Sequence, residues 1–94
     1  MENFRVIIVE DVPLELKGTE GIFRNEIPEA EIIGTAESEV AYWKLIKQNL
    51  PDLVLLDLGL GGSTTVGVEI CRQTKQTYPH VKVLIFTGDR KSVV

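Results

Sequence analysis

The sequence predicts an α/β fold, a parallel sheet with helices packed on both faces. Two observations carry this. Apolar runs alternate with helix-like segments along the whole chain, in the pattern β-α-β-α-β-α-β. Strands one, three and four (residues 4–9, 53–56 and 81–86) are nearly continuous in apolar residues. Strands buried on both faces need that composition, and the alternation implies helical crossovers between parallel neighbours.

Strand one carries Val6, Ile7, Ile8 and Val9 without interruption. A helix is expected over residues 13–26, because Pro13 suits a first helical turn. Leu16, Thr19, Glu20 and Phe23 share a face, which makes this helix only weakly amphipathic, and Gly18 and Gly21 weaken it. Pro28 punctuates, and "AEIIGTA" (30–36) reads as a short, less apolar edge strand. Ser38 can cap the second helix, where Ala41, Tyr42, Leu45 and Ile46 form one stripe. "NLPD" (49–52) stops it, and strand three follows. After a loop from residue 57 to about residue 65, Gly67, Ile70, Cys71, Thr74 and Tyr78 space as one helix face ended by Pro79. With strand two at the edge and right-handed crossovers, the expected order is 2-1-3-4, as in flavodoxin-like three-layer α/β/α sheets.

Composition narrows the function. The 94 residues make one small domain, 44% hydrophobic and 26% charged. A net charge of −4 offers no broad basic field for nucleic acid or an anionic membrane. One cysteine, Cys71, rules out an internal disulfide and reads as a small core residue. No stretch is apolar for long enough to be a signal sequence or to span a bilayer, so a cytoplasmic location is expected.

The informative residues stand at strand ends. Open α/β sheets bind ligands beyond the carboxyl ends of the strands, where the strand order reverses. In the order 2-1-3-4 that point lies between strands one and three. Strand one runs into Glu10 and Asp11, strand three into Asp57, and strand four into Thr87 and Gly88. Each has an ordinary reading alone: acids near a helix start, a turn aspartate, a β-prone threonine. Together they differ, because three carboxylates in one crevice repel one another and burial adds to the cost. A hard cation such as Mg²⁺ would make the site tolerable. A carboxylate can also act as a nucleophile and form an aspartyl phosphate. Phosphoryl transfer asks mainly for positioning and for neutralisation of oxygen charge. The small residues after Asp57 leave room for such a group.

These residues resemble the receiver domain of two-component response regulators, a CheY-like fold. The likeness covers the whole chain: "VIIVEDVP", "PDLVLLDLGL", "GVEICRQ" and "PHVKVLIFTG". "DVP" and "TG" are most similar to receivers that precede helix-turn-helix DNA-binding domains of the NarL/LuxR class. The resemblance implies Asp57 as phosphoacceptor, Asp11 as a direct Mg²⁺ ligand and Glu10 as a ligand through water. It implies the Gly59 backbone carbonyl as a further metal ligand, and Thr87 beside Gly88 as the switch hydroxyl that meets the phosphoryl group. The donor would be a phosphohistidine on a sensor histidine kinase or phosphotransfer protein. DNA would be reached only through an output domain outside this chain, and no membrane is involved. His80 matches no family site and reads as a surface loop residue.

Two departures stand out. The loop "LGLGGSTTVG" has no proline and a short insertion, where the family usually has a proline soon after the phosphoacceptor. The chain also ends before the fifth strand and last helices, so residues 1–94 read as a C-terminally incomplete receiver. No lysine falls where the family places one, since Lys91 follows Thr87 too closely. Strand four is then expected as an exposed apolar edge open to self-association. A pseudo-receiver, used as a phosphorylation-independent interaction domain, is the alternative. A phosphatase of the haloacid dehalogenase type would need an acid at residue 59, which is glycine. A flavodoxin would need a phosphate cradle that "VEDVPLELKG" lacks. Trp43 lies off the second helix's apolar stripe and reads as partly exposed.

Overall fold

A computed structural model of the chain describes residues 3–62 and 64–86. In chain order the elements are β1 (Phe4–Val9), α1 (Pro13–Glu26), β2 (Ala30–Ala36), α2 (Glu39–Gln48), β3 (Leu53–Asp57), a 3₁₀ turn (Leu60–Gly62), α3 (Thr64–Thr77) and β4 (Lys82–Phe86). The four strands form one parallel sheet in the order β2-β1-β3-β4, as the sequence predicts. Among the described residues, no helix is long and apolar enough to cross a membrane.

Strand geometry turns successive side chains to opposite faces, so each central strand feeds two cores. Val6 and Ile8 of β1 pack with Leu55, Leu16 and Phe23, which seats α1 on one face. Ile7, Val9, Val54 and Leu56 face the other way and meet Tyr42 and Ile46 of α2, Ile70 of α3 and Leu60. Val6, Ile7, Ile8 and Val9 are all fully buried. Each contributes about 1.5–3 kcal/mol of hydrophobic stabilisation, which makes β1 the spine of the domain. The α2 stripe packs as expected, and Ser38 Oγ accepts the Ala41 N–H at 3.1 Å to cap the helix. Thr74 of α3 is buried, and its hydroxyl meets the Tyr42 hydroxyl at 2.7 Å between the two helices.

Several details differ from the expectations or add to them. β2 is the edge strand but spans seven residues, longer than β1, β3 or β4. Its pairing with β1 slips between Val6 and Ile7, so that Ile33 is passed over. Gly34 follows the slip, and a Cβ there would lie 2.7 Å from the Leu45 side chain, so glycine lets α2 settle onto this strand. β3 runs one residue further than expected, through Asp57, and β4 begins at Lys82 rather than at residue 81. Leu60–Gly62 in the stretch after Asp57 form a 3₁₀ turn, and α3 starts at Thr64.

Opposite the strands' carboxyl ends, Asp52 ties three strands together. Its carboxylate accepts the Arg5 N–H at 2.8 Å, and its carbonyl accepts the Lys82 N–H at 3.0 Å. β4 pairs with β3 alone among the described residues, and Leu84 and Ile85 stand exposed, as expected of an apolar edge.

Candidate functional site

Two strand ends build the site. The Glu10 N–H donates to the Ala36 carbonyl at 2.9 Å, which prolongs the β1–β2 ladder by one residue and fixes Glu10 at its tip. The Glu10 side chain is fully buried. Its Oε2 accepts the Val12 N–H at 2.9 Å, while Oε1 is buried with no hydrogen-bond partner among the described residues. Asp57, the last residue of β3, is 5% exposed, and its Oδ1 accepts the Gly59 N–H at 3.1 Å. Asp11 is half-buried, and its Oδ2 accepts the Gly61 N–H at 3.1 Å. One carboxylate oxygen from each of Glu10, Asp11 and Asp57 falls within 4.8 Å of the other two. The three acids expected to converge do converge.

Electrostatics shows what this costs. The Glu10 carboxyl is pushed up from 4.5 to about 7, mainly by burial, with added repulsion from Asp57, Glu15 and Asp11. The Val12 N–H pulls in the opposite direction but does not cancel the rise. A buried carboxylate with one idle oxygen beside two more acids is an expensive arrangement for a protein alone. The donors on offer are oxygens, the ligand set of a hard divalent cation. Glu10 Oε1 is the observation that fits such an ion, since a bound cation would give it the partner it lacks.

The loop after Asp57 contributes backbone. The Gly59 carbonyl, expected as a metal ligand, accepts the Gly62 N–H at 2.9 Å and so also closes the 3₁₀ turn. Gly61 and Gly62 have φ of 71° and 78°, the left-handed region that favours glycine. Leu60 is buried in the core beneath the turn. A Cβ on Gly67 would lie 2.7 Å from the Leu58 carbonyl oxygen, so glycine lets α3 come up against the exit of β3.

The expected switch residues Thr87 and Gly88 lie outside the described residues, as does Lys91. His80 is exposed in the turn before β4, as expected. Trp43 is half-buried, with its Nε1–H donating to Glu39 Oε2 at 3.2 Å. Sequence reasoning missed the contact of Gly61 with Asp11. The adjacent glycines at 61 and 62 signal a turn, but not where that turn lands.

Comparison with known proteins agrees with this architecture. The family described as response regulator receiver domain matches residues 6–94. The methanol utilization control regulatory protein MoxX of Paracoccus denitrificans is 29% identical over 96% of this chain and 40% of its own length. The chain thus spans about two-fifths of that curated relative. A LuxR-family two-component response regulator from Aurantimonas sp. SI85-9A1 is 27% identical, with a TM-score of 0.79, covering 92% of this chain and 59% of that one. The isolated receiver domain of RcsB from Salmonella enterica serovar Typhimurium, solved with the phosphomimetic BeF3⁻, has a TM-score of 0.83 at 21% identity, covering 95% and 64%. That last likeness speaks for the fold, and the match along almost the whole sequence speaks for descent: the chain belongs to the response regulator receiver domain family.

Proposed function

We propose that this chain is the phosphoacceptor signalling domain of a two-component system. The observation that carries the proposal is the convergence of the Glu10, Asp11 and Asp57 carboxylates, with one Glu10 oxygen buried and without a hydrogen-bond partner among the described residues. Asp57 is the nucleophile. One of its oxygens attacks the phosphorus of a phosphohistidine on a sensor kinase or phosphotransfer protein, and the phosphorus–nitrogen bond breaks as the histidine leaves. The Gly59 N–H fixes the other Asp57 oxygen and so orients the attacking one. Glu10, Asp11, Asp57 and the Gly59 carbonyl are the groups that would hold Mg²⁺. When bound, Mg²⁺ supplies positive charge to the oxygens of the transferring phosphoryl group. The half-exposed setting of Asp11 leaves the pocket open to a donor from solvent.

Thr87, with Gly88 beside it, is the proposed switch hydroxyl that reports phosphorylation. The output is transcription, through a DNA-binding domain outside this chain, with self-association along the β4 edge as a second route. The domain acts in the cytoplasm and catalyses its own phosphorylation rather than turning over a substrate. A pseudo-receiver is the competing reading, favoured by the Gly59 carbonyl being already engaged by Gly62.

The two readings separate in an NMR titration. Mg²⁺ at millimolar levels, followed by beryllofluoride, is expected to shift the amides around residues 10–12 and 57–61 saturably. Asp57→Asn should abolish the beryllofluoride step. No saturable Mg²⁺ shift would favour the pseudo-receiver.

A further inference from the structure

We propose that Gly61 is a positioning residue for Asp11: its backbone N–H holds one oxygen of that carboxylate and leaves the second oxygen for a cation. The proposal rests on the cation-site reading above and goes beyond it by giving the unusual loop a role in building the site.

The three acids follow one pattern. Each has one oxygen on a backbone N–H: Glu10 on Val12 at 2.9 Å, Asp57 on Gly59 at 3.1 Å, and Asp11 on Gly61 at 3.1 Å. For Glu10 and Asp57 the donor stands two residues on, a local turn that these side chains form readily. For Asp11 the donor comes from 50 residues away, across the mouth of the crevice. Nothing in the local sequence of Asp11 supplies that bond; the folded loop does.

The loop is built to deliver it. Leu60 anchors the turn in the core, and the Gly62 N–H closes it onto the Gly59 carbonyl. Gly61 takes a φ of 71° to present its N–H. Proline could serve neither need there, because it lacks the N–H and its ring holds φ near −65°. The partly exposed Asp11 is the acid with most freedom to swing away, so it gains most from a fixed partner. Groups that orient metal ligands in this way typically change metal affinity by about 10–100-fold when removed. The loop and the cation then stabilise one another, because each favours the same Asp11 conformation.

The test compares Mg²⁺ affinity of the whole chain, by amide shifts, in the wild type, Gly61→Pro and Gly62→Ala. Gly61→Pro removes the donor. Gly62→Ala strains the same turn, at a φ of 78°, and keeps the Gly61 N–H. The expected result is roughly tenfold weaker Mg²⁺ binding for Gly61→Pro, with a clearly smaller loss for Gly62→Ala, which strains the turn but keeps the donor. Equal affinity for Gly61→Pro and wild type, or an equal loss in both variants, would overturn the proposal. Hydrogen exchange of the wild-type Gly61 amide needs no variant: it should slow with saturating Mg²⁺, and faster exchange would show that loop and cation compete. If the wild type shows no saturable shift, the cation site itself fails, an outcome distinct from a site that binds without help from Gly61.

Discussion

Replacing Glu10 by Gln should remove a pH dependence of stability that the wild type carries because of this one buried acid. The Glu10 carboxyl stands at about 7 in the folded chain, against an ordinary value of 4.5. Between those values the folded chain holds a proton that the unfolded chain has released. Stability therefore falls as pH rises from about 4.5 to about 7, and this group adds no slope outside that window. A difference of about 2.5 pK units corresponds to about 3 kcal/mol of charge-burial cost at higher pH. Gln has the same shape and does not titrate. Urea unfolding with EDTA present, at about pH 4 and about pH 8, gives the comparison. The stability of Glu10→Gln relative to wild type should grow by about 3 kcal/mol between the two conditions. Mg²⁺ at the higher pH should recover stability in the wild type and much less in the variant. A relative stability that stays constant with pH would refute the assignment of a buried, cation-seeking carboxyl at this position.

Other parts of the fold make independent predictions. Tyr42→Phe leaves the buried Thr74 hydroxyl without the partner it meets at 2.7 Å, and should cost about 1–2 kcal/mol in chemical denaturation. Adding Thr74→Val should return part of that loss, since both polar groups are then gone. Gly67→Ala sets a Cβ 2.7 Å from the Leu58 carbonyl oxygen, a backbone atom that cannot easily yield. It should cost about 1–3 kcal/mol and perturb the amides of the loop after Asp57. Ser38→Ala removes the α2 cap and should lower stability by about 1 kcal/mol, with the loss visible in thermal unfolding.

Much of the fold was legible because local signals agreed with tertiary needs. Val6 to Val9 and Leu53 to Leu56 are apolar without a break, as strands covered on both faces are. The α2 stripe and its Ser38 cap named the same helix twice. The relative polarity of β2 placed it at the edge, and the acids at the ends of β1 and β3 then had to meet. What escaped depends on contacts between distant residues. The slip at Val6 and Ile7 reflects how Gly34 admits Leu45, which no local pattern records. Asp52 read as a helix stop, yet it joins β1 to β4 through both its side chain and its carbonyl. The complete burial of Glu10 follows from its place in the β1–β2 ladder, whereas in sequence it is one member of an acidic pair. The glycines after Asp57 read as empty space. In the fold they are donors, and Gly61 reaches an acid at the far end of the chain's first strand.

The central claim is that Asp57 accepts a phosphoryl group in a pocket that needs a cation. Intact-mass measurement after incubation with acetyl phosphate and Mg²⁺ tests it most directly, using this chain and a version extended to full receiver length. A single phosphoryl adduct is expected in the extended chain, absent with EDTA and absent in Asp57→Asn. No adduct in the extended wild-type chain, or an adduct that survives Asp57→Asn, would contradict the account.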